Sequence, residues 1–234
     1  MTIEANLRYA AALLFCFAAA SIAAVQEQPR GLAPISKARL CVTKGTIEES
    51  QGSRLEVTVP EMRAVVAYPT RPTAEARITY LGPTTTDKPL RSGEIRRQFG
   101  LKLRAANGCN LIYAMWRIEP KPELVVSVKL NPGQTTNAQC GTHGYHTLKP
   151  TRDLKAPLLK EGENHTLRAA IDGNTLRVYI DNKLTWEGLL DDEARMLEGP
   201  SGVRTDNGRF KFEFFASEPV PGQTPACHSA SGDE

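Results

Sequence analysis

Three sets of residues in this 234-residue chain have types and spacings that support chemistry. The first is carboxylates. Glycoside hydrolysis needs two of them about 5–10 Å apart, one acting as acid and the other as nucleophile or base. Residues two apart on a strand share a face, so an E-x-D-x-E row would supply the pair. The chain contains no such row: Glu119 and Glu123 flank a turn made by Pro120 and Pro122, and Asp191, Asp192 and Glu193 are consecutive in a polar, solvated stretch. There is also no G-x-S-x-G nucleophile elbow. The second set is Cys140-x-x-His143-x-x-His146, a spacing that suits three zinc ligands and one open position. An oxidised Cys140 would remove that option, so no metal site is expected. Asp206 and Asn207 suit calcium and a simple turn equally well.

The third set is aromatic and basic. Sugars are held by aromatic faces against the apolar side of the ring and by polar side chains at the hydroxyls. Trp116, Tyr113, Tyr145 and Trp186 offer such faces, while Arg96, Gln98, Lys102, Arg104, Arg117 and Lys129 share the outward parity of neighbouring strands. The expected ligand-binding set is therefore Trp116, Tyr145, Arg104, Arg117, Gln98 and Lys129. If that row lines a concave sheet, the ligand is an acidic glycan. The competing reading makes these residues core aromatics and an ordinary wet face.

The elements that must position these residues are β-strands. Leu55, Val57 and Val59 alternate with polar residues and stop at Pro60; residues 62–68 and 76–81 are short apolar runs. After a loop over residues 82–93, Ile95, Arg97, Phe99, Leu101 and Leu103 alternate with Arg96, Gln98, Lys102 and Arg104, the period of a half-buried strand. Residues 110–118 are apolar on both parities, which predicts a central strand. Residues 123–130 alternate again, and residues 131–150 form a long polar loop, the first place to look for function. Asp172-Gly173-Asn174 and Asp181-Asn182-Lys183 are turns joining three strands in a meander. One helical turn is expected at residues 191–196, and Phe210, Phe212 and Phe214 close the core. About eleven short strands with no convincing helical period predict an all-β fold, a two-sheet antiparallel β-sandwich or jelly roll.

Residues 1–24 have the layout of a signal peptide: Arg8, an apolar run over residues 9–20, then Ser21, Ala23 and Ala24, with cleavage expected after Ala23 or Ala24. Cys16 leaves with it. Residues 25–53 read as a leader, 54–216 as the sandwich domain and 217–234 as a loose tail. Four cysteines remain, an even number that predicts two disulfides in a secreted or periplasmic protein, with three connectivities open. The expected pairs are Cys109–Cys140, around the long loop, and Cys41–Cys227, tying the ends. The sequon Asn164-His165-Thr166 matters only in a eukaryotic secretory route. With 29 basic and 26 acidic residues, a net charge of +3 and no basic run, nothing points to nucleic acid, and no stable membrane insertion is expected once the signal is cleaved.

One stretch resembles a known family. Residues 164–186 read NHTLRAAIDGNTLRVYIDNKLTW and residues 199–208 read GPSGVRTDNG, followed by a Phe-rich strand. This resembles the concanavalin A-like lectin/glucanase superfamily, closest to its laminin G-like jelly rolls and related bacterial glycan-hydrolase domains. The resemblance covers about 50 residues well and extends back to Ile95. It implies the fold, while the superfamily mixes lectins, hydrolases, lyases and inert scaffolds. The expected function is a non-catalytic binding module for a glycan or a protein partner. A glycan-active hydrolase or lyase is the second reading and a structural envelope protein the third. No motif calls for a cofactor.

Overall fold

The computed structural model describes residues 31–50, 53–218 and Cys227. The expected signal peptide and most of the expected tail lie outside those residues. Sixteen strands are present among them: β1 (Ala33–Pro34), β2 (Leu40–Lys44), β3 (Glu48–Ser50), β4 (Arg54–Val57), β5 (Glu61–Val66), β6 (Thr73–Pro83), β7 (Arg97–Leu103), β8 (Leu111–Glu119), β9 (Glu123–Lys129), β10 (Tyr145–Thr147), β11 (Pro150–Asp153), β12 (Asn164–Asp172), β13 (Thr175–Ile180), β14 (Lys183–Leu189), β15 (Gly202–Asp206) and β16 (Gly208–Ala216). Two helical turns, α1 (Asn137–Cys140) and α2 (Asp192–Arg195), interrupt them.

The strands form two antiparallel sheets. One runs β11-β14-β13-β12-β6-β16-β4-β3, with β1 added beside β16; the other runs β10-β9-β8-β7-β15-β5-β2. Alternation explains the layering. In β7, Phe99, Leu101 and Leu103 turn inward, and in β8 Ile112, Ala114, Trp116 and Ile118 do the same. They meet Phe210, Phe212 and Phe214 of β16 from the opposite sheet. Phe99 packs edge-on against Phe210 and Phe212, with centroids 5.3 and 5.4 Å apart, a favoured aromatic geometry. The other parity of β8, Leu111, Tyr113 and Met115, is apolar because it floors a covered groove and forms a small second cluster with Ala105. The central-strand expectation for this segment holds.

The meander also holds. β12, β13 and β14 pair in sequence order, and Gly173, Asp181 and Asn182 adopt the positive φ that tight hairpins demand. The helical turn α2 forms where expected, capped by Asp191, whose side chain accepts from the Ala194 N–H at 2.7 Å.

Both expected disulfides are present, Cys41–Cys227 and Cys109–Cys140. The leader is different. Residues 33–50 supply three strands, and β2 pairs with β5 through Leu40, Cys41 and Val42. Leu40 turns to the core while its neighbour Cys41 is buried by its disulfide, so two adjacent residues are buried and the period-2 signal disappears. The other strands beyond the expected eleven are short. β10 and β11 are fully exposed, so they carry no apolar alternation to read.

Candidate functional site

The outer face of the seven-stranded sheet floors a groove of about 570 Å³. Gln98 and Lys102 rise from β7, Tyr113, Met115 and Arg117 from β8, Ser127 and Lys129 from β9, Tyr145 from β10, Arg204 from β15 and Arg63 from β5. Strand register fixes who meets whom: Lys102 stands opposite Tyr113, Gln98 opposite Arg117 and Asp206, and Tyr145 opposite Lys129. One wall is residues 88–92. The other comes from the long loop, through Asn137, Gly141 and Thr142. The walls touch, since Arg91 Nη1 donates to the Asn137 carbonyl at 3.0 Å.

The long loop is fastened in several ways. Cys140 is bonded to Cys109, and Thr136 and Gln139 form a capping box on α1. Asn131 Nδ2 donates to the Cys109 and His143 carbonyls at 3.2 and 3.0 Å. Gly144, at φ +73°, lets the chain fold back on β9, and a Cβ there would sit 2.2 Å from the Leu130 carbonyl oxygen. That turn sets Tyr145 beside Tyr113. Their rings stack at 6.1 Å and 20°. Lys129 Nζ lies 5.1 Å from the Tyr145 centroid and the Arg204 guanidinium 5.1 Å from that of Tyr113, both within cation–π range.

Beneath the tyrosines, Asp206 is fully buried and accepts three charge-assisted or polar bonds: Arg63 Nη2 at 2.6 Å, Gln98 Nε2 at 2.6 Å and Arg204 Nε at 2.9 Å. Burial alone would raise this carboxyl, but Arg204 and Arg63 outweigh it and hold it well below the usual range. Burial pushes the Tyr113 phenol far up. Burial also acts to raise Tyr145, yet Arg204 and Lys129 prevail and its phenol is lowered. Glu61 is the one carboxylate lining the groove among the described residues. Burial works to raise it; Lys88 at 2.6 Å, Lys44 and Arg63 hold it below the ordinary carboxylate range.

Of the residues expected from sequence, Gln98, Arg117, Lys129 and Tyr145 line this groove. Trp116 does not. It is wholly buried between the sheets and donates its ring N–H to the Pro157 carbonyl at 3.1 Å, as its parity with Ile112 and Ala114 requires. Arg104 also lies apart. β7 ends at Leu103, Arg104 turns into the left-handed region at φ 48°, and its guanidinium donates to the Arg195 carbonyl at 2.7 Å. Sequence reasoning missed Arg63 and Arg204, although each alternates with buried residues of its own strand.

The other chemical candidates are absorbed into structure. Cys140 has no thiolate to give a metal, and His146 Nε2 instead pairs with Asp191 Oδ2 at 2.7 Å. Among the described residues no three His, Cys, Asp or Glu side chains converge on a metal position. Asn207 is saturated: its Oδ1 accepts from the Lys88 N–H, and its Nδ2 donates to the Lys88 and Arg96 carbonyls. It clips residues 88–96 to the corner between β15 and β16. Glu119 pairs with Arg97 and Glu123 with Arg117. No two carboxylates face one another across the groove among the described residues.

No family model matches the chain, and no curated protein matches it in sequence. Solved structures do match. The carbohydrate-binding module CBM66 from Bacillus subtilis superposes with a TM-score of 0.53 at 14% identity, covering 74% of this chain and 91% of that one. The shared fold is the two-sheet antiparallel β-sandwich, a jelly roll. The potassium-bound carbohydrate recognition domain of Emp46p (TM-score 0.47, 15% identity, 78% and 90% covered) and the galectin LEC-6 of Caenorhabditis elegans (0.39, 11%, 79% and 99%) are more distant matches. At such identities the likeness speaks for the fold and leaves the ligand to the residues of the groove.

Proposed function

We propose that this protein is an exported, non-catalytic glycan-binding module whose ligand lies in the groove on the seven-stranded sheet. The observation that carries the reading is the tyrosine pair. Tyr145 is 43% exposed, lies at the groove surface, and is held in place by Tyr113 behind it and Lys129 beside it. A fixed aromatic face with charged and amide groups around it is the arrangement that grips the apolar side of a sugar and its hydroxyls together. The matched carbohydrate-binding module lends support, and the laminin G-like subdivision expected from residues 164–186 belongs to the same proposal. Two disulfides and the N-terminal signal pattern support export. Glu61, the one groove carboxylate among the described residues, is already held by three cations, which supports binding over hydrolysis. Affinity electrophoresis of the purified protein through gels containing laminarin, xylan, dextran or polygalacturonate tests this. Retardation by at least one, saturable and lost in Tyr145→Ala, is expected; free migration in all four by folded protein overturns it.

A lyase is the second reading, and one observation favours it: Tyr145 faces the groove with Lys129 Nζ 5.1 Å from its ring, and Arg204 and Lys129 lower its phenol against the effect of burial. Release of unsaturated, ultraviolet-absorbing ends from polygalacturonate would establish it in place of the binding module.

A further inference from the structure

We infer that the groove has a second subsite, at Arg96, Gln98 and Arg117, which takes neighbouring hydroxyl groups of an uncharged sugar unit, so that the ligand is a neutral oligosaccharide of two or more units. This rests on the glycan-binding reading and names its ligand class. Strand register lays out the groove floor. Residues two apart share a face, so Tyr113, Met115 and Arg117 follow one another along the outer side of β8. Arg117 stands opposite Gln98 of β7, and Arg96, the residue before that strand, lines the groove beside them. At about 3.4 Å per residue, the step from Tyr113 to Arg117 is about 14 Å, longer than one sugar ring. Met115 lies between the two ends, opposite Gly100, where a Cβ would fall 2.3 Å from the Met115 sulfur. The missing side chain makes room for that sulfur, and the floor between the ends is apolar.

The chemistry of this end differs from that of the tyrosine end. Its charges are matched one for one, Arg96 with Glu94 and Arg117 with Glu123, so an acidic ligand group would have to displace a glutamate. Gln98 is uncharged and 2% exposed, and its Nε2 donates to Asp206 beneath the floor at 2.6 Å. Three buried polar atoms nevertheless have no hydrogen-bond partner among the described residues: the donors Arg96 Nε and Arg117 Nε, and the acceptor Gln98 Oε1. All three belong to side chains that line the groove.

Buried donors and acceptors left unpaired are costly, so a ligand that pairs them binds correspondingly tighter. A carboxylate only accepts and an ammonium only donates, so each would answer some of these atoms and oppose the rest. A hydroxyl does both. Two adjacent hydroxyls set an O–H against Gln98 Oε1 and lone pairs before the two Nε–H groups. The arginine side chains are 26% and 17% exposed and are tied to their glutamates through Nη2 of Arg96 and Nη1 of Arg117, so rotation of each side chain brings its Nε to the ligand.

The test is calorimetry of the purified protein with oligomers of one to four units from laminarin, xylan, dextran and polygalacturonate, the last being the acidic probe. We expect at least one neutral series to bind, with affinity rising about tenfold or more from one unit to three. Arg117→Lys keeps a cation for Glu123 and deletes the Nε–H, and it should weaken the trisaccharide about tenfold, the worth of one charge-assisted hydrogen bond. Tyr145→Ala should weaken every length. The length series needs no variant, so it stands even if Arg117→Lys misfolds. Affinity independent of length, or a folded Arg117→Lys that holds the trisaccharide as wild type does, would overturn the second subsite and spare the glycan-binding reading. Galacturonate oligomers held in preference to the neutral ones would overturn the neutral ligand class. Binding to no oligomer of the four polymers would overturn the glycan-binding reading itself.

Discussion

Asp206→Asn strikes the buried charge cluster beneath the groove. The wild-type carboxylate is fully buried and accepts from Arg63 at 2.6 Å, Gln98 at 2.6 Å and Arg204 at 2.9 Å. Asparagine keeps the shape and one acceptor, but it sets an NH2 donor against the guanidiniums and leaves two largely buried cations without their counter-ion. Breaking a buried pair from one side costs about 3–5 kcal/mol, because the remaining charge stays desolvated. For a domain of this size that is a fall in Tm of about 6–20 °C. Urea unfolding followed by tryptophan fluorescence measures the loss directly, since Trp116 and Trp186 are both buried. The pH dependence gives a second check. Asp206 has a folded pKa far below its unfolded value of about 3.9, so its contribution is complete above roughly pH 5 and is lost as pH falls. The difference between wild type and variant should shrink as pH drops from 5 to about 2. A loss under about 1 kcal/mol at pH 7, or a difference independent of pH, would refute the idea that Asp206 is the electrostatic anchor of the groove.

Three further outcomes follow from the same geometry. Trp116→Ala removes a wholly buried ring from between the sheets and should cost about 3–5 kcal/mol by chemical denaturation, while glycan affinity measured on the folded fraction stays unchanged. Tyr145→Ala should change stability by less than about 1 kcal/mol, since the side chain is half exposed, yet weaken glycan binding about tenfold or more by calorimetry. The double variant Cys109→Ser, Cys140→Ser opens a link across 31 residues, worth about 3.5–4 kcal/mol by loop entropy, and should speed hydrogen exchange in residues 131–144 before that of β8.

Much of the fold was legible because its strands obey period 2. The inward residues of β7, β8 and β9 and the two tight turns around β13 could be assigned from alternation and turn chemistry alone. What escaped were elements held by something other than an apolar stripe. β2 is kept by a disulfide and an edge pairing, and β10 and β11 have no buried residue at all. The site was half legible for a related reason. Parity put Gln98, Arg117 and Lys129 on the outer face, but parity fails at a strand end, and Arg104 left the row once its backbone entered the left-handed region. Trp116 was drawn into the ligand set by residue type, although its parity already placed it with Ile112 and Ala114. Arg63 and Arg204 are far apart in sequence, and only the pairing of β5 with β15 brings them onto one carboxylate.

The claim that the groove on the seven-stranded sheet is a glycan site is tested most directly by localising binding. Wild type, Tyr145→Ala and Tyr179→Ala, the last altering the opposite sheet where Tyr179 lies against Arg168, would be applied side by side to an array of neutral and acidic glycans. The account predicts saturable binding by wild type and Tyr179→Ala to the same glycans, and its loss in Tyr145→Ala. A blank array for folded wild type, or equal binding by Tyr145→Ala, would contradict it.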